Sequence, residues 1–341
     1  MRVRALAPDS RIVAVVKADA YGHGVEQLLA GLDRAEVLAV ATVEEAQALR
    51  TAAWTGRILL LEGFRGEAEY RAAAELEADI VVHHRSQLEL LEARGGYPGR
   101  PAWLKLDTGM HRLGFPAADA RALAERLTTL SGGLKPVLMT HFASADAPDD
   151  PLTERQIARF DAAVAGIDAR VSLANSAGLL NHPASRRDYV RPGILLYGIS
   201  PRPDETGPDL GLRPVMTLSC RLLAINTAEK GETVGYGGRF RCPETMLIGV
   251  AGIGYGDGYP RAVPDGTPVL LNGRRAAIAG RVSMDMITLD LRGHEDAQVG
   301  DEVILWGAGL PVEQVASAAG MIPWELVCGV TRRVRRVTVP A

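Results

Sequence analysis

Short runs of Ile, Val, Leu and Ala alternate with segments of helical periodicity from Arg11 to Tyr197. The runs predict eight strands: Ile12–Lys17, Val37–Ala41, Arg57–Leu61, Ile80–Val82, Ala102–Leu106, Pro136–Thr140, Arg170–Leu173 and Tyr189–Tyr197. Helices are predicted near Val25–Leu32, Val43–Leu49, Glu67–Leu76, Ser86–Ala93, Ala117–Leu127, Thr153–Ile167 and Ser176–Leu180. Such alternation predicts a parallel sheet, and eight units favour a closed (β/α)8 TIM barrel. A doubly wound open sheet is the alternative.

The pattern changes after the Pro-rich segment Ser200–Pro214, which is typical of an interdomain linker. Beyond it, short β-type runs are separated by turns, of which Asn272–Gly273 is the strongest hairpin signal. The runs are Val215–Ile225, Thr233–Tyr236, Leu247–Gly252, Pro268–Leu271, Arg274–Ile278, Met286–Leu291 and Glu302–Leu305, with one helix near Val312–Ala319. We therefore expect a barrel domain over residues 1–208 and a mainly antiparallel β domain over residues 209–341.

Composition and charge narrow the class of protein. The chain has 341 residues, of which 47% are hydrophobic and 23% charged, and its net charge is −3. These values are ordinary for a soluble globular protein and give no reason to expect nucleic-acid or membrane binding. Three scattered cysteines lack the spacing of a metal site, and no segment has the pattern of a signal peptide, so we expect a cytoplasmic protein without a metal. The basic segment Arg332–Arg336 has apolar neighbours and predicts a strand with solvated arginines.

Lys17 ends the first predicted strand and precedes a turn that contains Gly22 and Gly24. Burial at such a place disfavours the charged form of an amine and favours attack on a carbonyl, although a lone lysine at a strand end is more often a solvated side chain. Other strand ends carry Lys105, His141, the segment Asn175–Gly178, and Arg191 followed by Gly193 and Ile194. In a parallel barrel these ends meet, so the set predicts a cationic pocket whose Asn-Ser-Ala-Gly turn suits a phosphate group. Taken alone, each of these features is more often structural: the Asn-Ser-Ala-Gly turn is typical of a helix cap, the arginine of a surface ion pair and His141 of a hydrogen-bonded interior histidine.

At these residues the chain strongly resembles the alanine racemases, a family of PLP-dependent enzymes with a barrel followed by a β domain. The resembling segments are Ala14–Gly24, Lys105–Gly114, Thr140–Ala143, Ala174–Ala177, Arg191–Ile194, Gly252–Arg261 and Gly280–Asp285. They run in order through nearly the whole chain. The resemblance implies racemisation of L-alanine and D-alanine, which supplies D-alanine for peptidoglycan, in a head-to-tail homodimer with shared active sites.

The resemblance also implies a role for each matching residue. Lys17 would carry pyridoxal 5′-phosphate and serve the D side of the substrate, and Tyr255, from the other subunit, would serve the L side. Arg191 would face the pyridine nitrogen, with His141 between Tyr255 and Arg191. The remaining implied cofactor contacts are Tyr21, Asn175, Ser176, Gly193 and Ile194. Arg112 and the Met284 backbone would bind the substrate carboxylate, and Lys105 matches a position that is often carbamylated. Racemisation requires groups on both faces of the substrate, which explains why a lysine and a tyrosine are both needed.

Other readings stay open at this stage. A racemase with broader specificity, or one for serine, differs only in the residues that line the pocket. A barrel-type PLP-dependent amino-acid decarboxylase shares both domains, but Gly254–Gly258 does not fit its second domain. A small PLP-carrier protein would lack the β domain. Family members usually begin with an additional strand and the start of a helix, so we expect either a misassigned start or a trimmed sheet edge, and Arg332 stands where some members have a phosphate-contacting tyrosine.

Overall fold

A computed structural model describes residues 2–97 and 99–339. Contacts between Cα atoms divide the chain into two units. The first comprises Met1–Ala20 and Gly24–Leu196, and the second comprises Tyr21–His23 and Tyr197–Ala341. Residues 197–208, which the sequence places with the barrel, are therefore grouped with the second unit. Among the described residues, no helix is both long and apolar enough to cross a membrane.

The first unit contains the predicted parallel barrel. Its strands are β1 (Arg11–Val15), β2 (Val37–Val40), β3 (Arg57–Leu60), β4 (Asp79–Val82), β5 (Trp103–Asp107), β6 (Phe115–Pro116), β7 (Val137–Met139), β8 (Arg170–Ser172) and β9 (Tyr189–Val190). Parallel pairing runs from β1 through β2, β3, β4, β5, β7 and β8 to β9, and β9 pairs with β1, so these eight strands close. The two-residue strand β6 adds to β5 outside the ring. The barrel prediction is confirmed, and the open sheet is excluded.

One helix of the first unit precedes β1, and the others lie between strands. They are Arg2–Leu6, Val25–Leu28, Val43–Thr51, Glu67–Glu75, Arg85–Ala93, Ala120–Leu130, Leu152–Val164 and Ser176–Asn181. Strands β2 and β4 are buried at every position, as expected for strands covered on both faces. The capping box at Thr42 and Glu45 is present, with Glu45 N donating to Thr42 Oγ1 at 3.4 Å. Local sequence signals therefore place most of the barrel correctly.

The last predicted barrel strand was too long. Only Tyr189–Val190 is a strand, and Ile194–Tyr197 forms a 3₁₀ turn. Pro192 has no N–H to donate to a ladder, so it ends the strand, although its carbonyl still accepts a bond from Val15 N at 3.0 Å.

The second unit contains a closed barrel of six antiparallel strands. They are β10 (Leu218–Ala228), β13 (Met246–Ala251), β14 (Pro268–Leu271), β15 (Arg274–Ile278), β16 (Ile287–Asp290) and β17 (Glu302–Trp306), while β11 (Thr233–Val234) and β12 (Phe240–Arg241) form a separate ribbon. The predicted hairpin is confirmed, because Asn272 and Gly273, with φ of 48° and 78°, join β14 to β15. Closure leaves no open edge among the six strands.

Three features of the second unit differ from or extend the prediction. The helix Val312–Ala319 occurs as predicted, but the helix Pro323–Gly329, begun by a proline and an early Glu325, was missed. Thr331–Val334 is a turn, so the strand predicted for Arg332–Arg336 is wrong. The Pro-rich segment is anchored as well, because Glu313 Oε1 accepts bonds from Ser200 N and Gly207 N at 2.8 and 2.7 Å.

Candidate active site

Lys17 stands directly after β1 and begins a left-handed turn. Ala18, Asp19, Ala20 and Tyr21 have φ of 52°, 52°, 54° and 53°. Left-handed conformation costs a non-glycine residue roughly 1–2 kcal/mol, so four in succession require support from their surroundings. The left-handed turn therefore consists of four non-glycine residues that precede Gly22. The Lys17 side chain is half-buried, less than the sequence led us to expect.

The left-handed turn is held at both ends. Ala18 N donates to Glu45 Oε1 at 2.6 Å, and Val25 N donates to Asp19 Oδ1 at 2.9 Å. In addition, Ala20 N donates to the carbonyl of Val16 at 2.9 Å. Glu45 was expected only as a helix cap, and its bond to the peptide after Lys17 could not be read from the capping pattern.

Lys105 lies in β5 and is 8% exposed. Burial, together with the neighbouring charges of Arg191, Arg112 and Lys17, lowers the pKa of this amine to about 8. The carboxylate of Asp107 acts against them but is itself engaged by its own loop, because Oδ1 accepts from Gly109 N at 2.9 Å. A buried lysine with a pKa near neutrality has an appreciable population of the nucleophilic free amine.

Arg191 follows β9 and is 3% exposed. It donates to Ser172 Oγ at 2.6 Å and to the carbonyls of Thr140 and Leu173 at 2.6 and 3.2 Å. Burial lowers its pKa to about 10, so the guanidinium remains charged at neutral pH. Backbone carbonyls just after β7 and β8, together with the side chain of the last residue of β8, thus orient this cation. Ser172, which the sequence left without a role, is one of its principal contacts.

His141 lies beside Arg191, whose Nη2 is 3.4 Å from His141 Nδ1. Burial holds the pKa of His141 well below 6.5, and the charges of Arg191, Lys105, Arg112 and Lys17 act in the same direction. The imidazole is therefore neutral at physiological pH. Its backbone is anchored by the buried Gln156, whose Nε2 donates to the His141 carbonyl at 3.0 Å.

Ser176 begins the helix Ser176–Asn181, which Asn175 caps by accepting a bond from Gly178 N at 2.8 Å. The hydroxyl oxygen of Ser176 accepts bonds from Gly193 N at 2.9 Å and Leu195 N at 3.4 Å. Because the oxygen accepts from these amides, its own proton is left to donate elsewhere. The structure thereby brings Asn175, Ser176, Gly193 and Ile194 together, as the sequence predicted.

Arg112 lies in the loop after β5 and is exposed. Asp107 Oδ1 shapes this loop by accepting from three backbone N–H groups, those of Gly109, Met110 and His111, at 2.9 to 3.1 Å. Although its side chain is exposed, Arg112 is close enough to lower the pKa of both Lys105 and His141. Lys17, Lys105, Arg112 and Arg191 therefore form one cationic group, which acts on the neutral His141.

Tyr21, Tyr255 and Met284 belong to the second unit. The Tyr21 ring packs on Tyr197 with centroids 5.1 Å apart, and burial raises the pKa of Tyr21 to about 12, so its hydroxyl keeps its proton. Tyr255 and Met284 are 40% and 52% exposed, which is unusual for large apolar side chains on neighbouring loops.

The loops that carry Tyr255 and Met284 are tied together within the second unit. Tyr255 N and Gly256 N donate to the carbonyls of Ser283 and Met284 at 3.0 and 2.9 Å. Arg333 bridges the same loops, with Nε 3.2 Å from Asp257 Oδ1 and Nη2 2.8 Å from Asp285 Oδ1. Sequence reasoning missed Arg333 because the basic segment looked like a solvated strand.

Comparison with known proteins identifies the family of the chain. Residues 1–201 match the family model described as Alanine racemase, N-terminal domain, and residues 215–338 match Alanine racemase, C-terminal domain. The alanine racemase of Nitrosococcus oceani is 49% identical over 336 residues, which cover 98% of this chain and 94% of that protein. The alanine racemase of Shewanella denitrificans is 47% identical, with coverages of 99% and 95%.

Solved structures give the same result. The biosynthetic alanine racemase from Pseudomonas aeruginosa superposes with a TM-score of 0.93 at 46% identity, covering 97% of this chain and 93% of that one. The alanine racemase from Bartonella henselae with covalently bound pyridoxal phosphate has a TM-score of 0.88 at 28% identity, with coverages of 99% and 95%. The chain belongs to the alanine racemase family.

Proposed function

We propose that Lys17 and Tyr255 are the two proton-transfer groups with which this alanine racemase interconverts L-alanine and D-alanine. The observation that carries the proposal is the cationic group at the ends of the barrel strands. Lys17, Lys105, Arg112 and Arg191 contribute to one electrostatic field, and the carboxylate of Asp107 acts against it by raising the pKa of Lys105. Such a field favours anionic ligands, and both an amino-acid carboxylate and a phosphate ester are anionic.

The donor set fits pyridoxal 5′-phosphate. The Ser176 hydroxyl accepts from Gly193 N and Leu195 N and keeps its own proton to donate, so it suits a phosphate held at the turn formed by Asn175, Gly193 and Ile194. The protonated Tyr21 hydroxyl is the further donor in this proposal. Arg191 is fixed by three strand-end oxygens, so it is a rigid cation suited to a ring nitrogen. When bound, this cofactor withdraws electrons from the substrate α-carbon and so makes its proton acidic.

Lys17 and Tyr255 have complementary tasks. A neutral lysine amine accepts the α-proton on the D side, and the tyrosine oxygen holds or receives it on the L side, so the proton leaves one face and returns to the other. His141 cannot supply a charge, because its pKa is held well below 6.5; it is a neutral hydrogen-bonding group between Arg191 and the tyrosine. Arg112 and the Met284 backbone N–H bind the substrate carboxylate.

Lys105 is the residue that, in this proposal, orients Arg112. The free amine of Lys105, whose pKa is about 8, can attack carbon dioxide: an N–C bond forms, one C=O π bond opens, and the amine proton passes to solvent, which leaves an anionic carbamate. The surrounding cations favour this product, because it neutralises surplus positive charge. The carbamate would then accept hydrogen bonds from Arg112 and hold it for the carboxylate. We therefore infer that Lys105 is carbamylated in the working enzyme.

The active unit is inferred to be a head-to-tail homodimer in which Tyr255 and Met284 complete the partner's site. Three large apolar side chains on adjoining loops, Tyr255, Met284 and Met286, are 40%, 52% and 46% exposed, and a second copy would cover them. We further infer a cytoplasmic enzyme that supplies D-alanine for peptidoglycan. Three free cysteines agree with a reducing compartment.

The decisive experiment follows exchange of the α-hydrogen with deuterated solvent. Tyr255→Phe should retain bound cofactor and exchange D-alanine through Lys17, but lose exchange of L-alanine and most racemisation. Lys17→Ala should bind no cofactor covalently. If Tyr255→Phe lost exchange of both enantiomers equally, another residue would have to act on the L side. If the wild type racemised serine as fast as alanine, the enzyme would be a racemase of broader specificity.

A further inference from the structure

Glu45 contacts the peptide that follows the predicted catalytic lysine. Its Oε1 accepts the bond from Ala18 N at 2.6 Å, while Oε2 accepts from Ala41 N at 2.7 Å and from Thr42 N at 3.3 Å. One carboxylate therefore joins the residue after Lys17 to the end of β2 and to the helix Val43–Thr51. We propose that Glu45 is a positioning residue for Lys17, an inference that rests on the function proposed above.

Both peptide groups that flank Lys17 are fixed. The preceding carbonyl, that of Val16, accepts the bond from Ala20 N at 2.9 Å, and the following N–H, that of Ala18, donates to Glu45. With both peptide planes held, the backbone of Lys17 has little torsional freedom, and its amine is presented from a defined point. Catalytic groups need such support, because small displacements of a reacting atom reduce rate strongly.

The left-handed turn explains why support is needed here. Ala18, Asp19, Ala20 and Tyr21 all have positive φ, and none is glycine. Without a strong acceptor at its first N–H, the turn would relax toward right-handed or extended backbone and carry Lys17 with it. A carboxylate is suited to this task, since hydrogen bonds to a charged acceptor are stronger than those to a neutral one.

The capping box alone does not account for Glu45. That motif uses the bonds between Glu45 and Thr42, and it is complete without Ala18. The adjacent Glu44 provides a matched comparison, because it is exposed on the same first turn, and its low pKa comes from its own backbone N–H and the Thr42 hydroxyl. Glu44 and Glu45 are therefore both glutamates in the first turn of this helix, and they differ in that Glu45 accepts a hydrogen bond from the turn after Lys17.

The test compares Glu45→Ala and Glu45→Gln with Glu44→Gln and Thr42→Ala. The first measurement is amide hydrogen exchange of residues 17–24 in protein stripped of cofactor. The second is the affinity for pyridoxal phosphate, with borohydride trapping at Lys17. Glu45→Ala should exchange at Ala18 about tenfold faster and bind the cofactor about tenfold more weakly, as expected for loss of one charge-assisted hydrogen bond. Thr42→Ala should lower the melting temperature without either effect.

Each outcome is decisive. Glu45→Gln keeps one oxygen acceptor, so it should fall between wild type and Glu45→Ala, and it serves if the alanine variant does not fold. Unchanged exchange in both Glu45 variants, or equal changes in Glu44→Gln or Thr42→Ala, would overturn the proposal. If wild-type protein fails to trap the cofactor at Lys17, the proposed function fails, while the exchange measurement still decides whether Glu45 fixes the turn.

Discussion

Arg191 Nη2 lies 3.4 Å from His141 Nδ1, so a guanidinium that is charged at neutral pH faces one nitrogen of a buried imidazole. Protonation of that imidazole would place two cations side by side. Burial is the largest cause of the depressed pKa of His141, and the charge of Arg191 is the next. The pair therefore enforces a neutral histidine, and this has a consequence for stability as well as for catalysis.

We predict that His141 makes the protein less stable below about pH 6.5, the ordinary pKa of histidine. In that range the unfolded state takes up a proton that the folded state refuses, so the free energy of unfolding decreases as pH falls. This residue can contribute at most about 1.4 kcal/mol per pH unit. Urea unfolding of cofactor-free protein at several pH values measures the slope.

His141→Gln should flatten that slope, and His83→Gln is the comparison. The pKa of His83 is also lowered, chiefly by burial, but less strongly than that of His141. A smaller change is therefore expected for His83→Gln. Identical pH profiles for wild type and His141→Gln would show that the folded state accommodates the proton.

Substitution of Arg333 is predicted to lower activity while leaving the stability of the protein nearly unchanged. It bridges Asp257 and Asp285 on the loops of Tyr255 and Met284, but its side chain is 52% exposed. Exposed ion pairs contribute little to stability because water and salt screen them, so Arg333→Ala should hardly change the melting temperature. Loosening of the two loops should nevertheless lower kcat/KM for alanine by about tenfold, because positioning errors of this kind reduce rate more than stability.

Arg292→Ala is the matched control for Arg333→Ala. Arg292 forms the same kind of double contact, with Asp290 at 2.6 Å and Glu244 at 3.4 Å, and its side chain is 44% exposed. These contacts connect no loop that carries a predicted site residue. Steady-state kinetics should therefore find normal racemisation in Arg292→Ala, and a comparable loss in both variants would remove the case for a specific role of Arg333.

The sequence predicted best those site residues that stand directly after a strand. Lys17, Ser176 and Arg191 follow strand ends, and the order of apolar runs was sufficient to place them at the same end of a parallel barrel. Glu45 and Arg333 could not be found in this way, because each acts through contacts distant in sequence. The wrong strand at Arg332–Arg336 has a similar cause, because tertiary contacts of Thr331 and Arg333 with the Tyr255 loop override β propensity. The missed helix Pro323–Gly329 is a different case, since its initial proline and Glu325 were local signals in the sequence.

Ala18→Gly should stabilise the protein. Ala18 has φ of 52° and an exposed side chain, so glycine relieves backbone strain without removing buried contacts. The relief of about 1–2 kcal/mol exceeds the greater entropy loss of glycine on folding, which is about 0.5–1 kcal/mol. A net gain of up to about 1.5 kcal/mol in urea unfolding is expected. Ala18→Val should lose stability, and a lower stability for both variants would argue against strain at this position.

The last prediction concerns Lys105 and its response to pH and carbon dioxide. Its pKa falls from 10.5 to about 8 on folding, so below pH 8 the folded state bears the full cost of a buried charge. This cost is about 3 kcal/mol. Cofactor-free Lys105→Met, free of bicarbonate, should therefore be more stable than wild type at neutral pH.

Between pH 8 and 10.5 the unfolded chain holds a proton that folded Lys105 has released, so wild-type stability rises with pH and the advantage of Lys105→Met shrinks. Bicarbonate should diminish the same advantage at neutral pH, because carbamylation replaces the buried cation by an anion near Arg112 and Arg191. NMR with isotopically labelled bicarbonate should detect a carbamate carbon in wild type and none at this position in Lys105→Met. A constant stability difference at every pH, with or without bicarbonate, would mean that Lys105 does not titrate as its surroundings require.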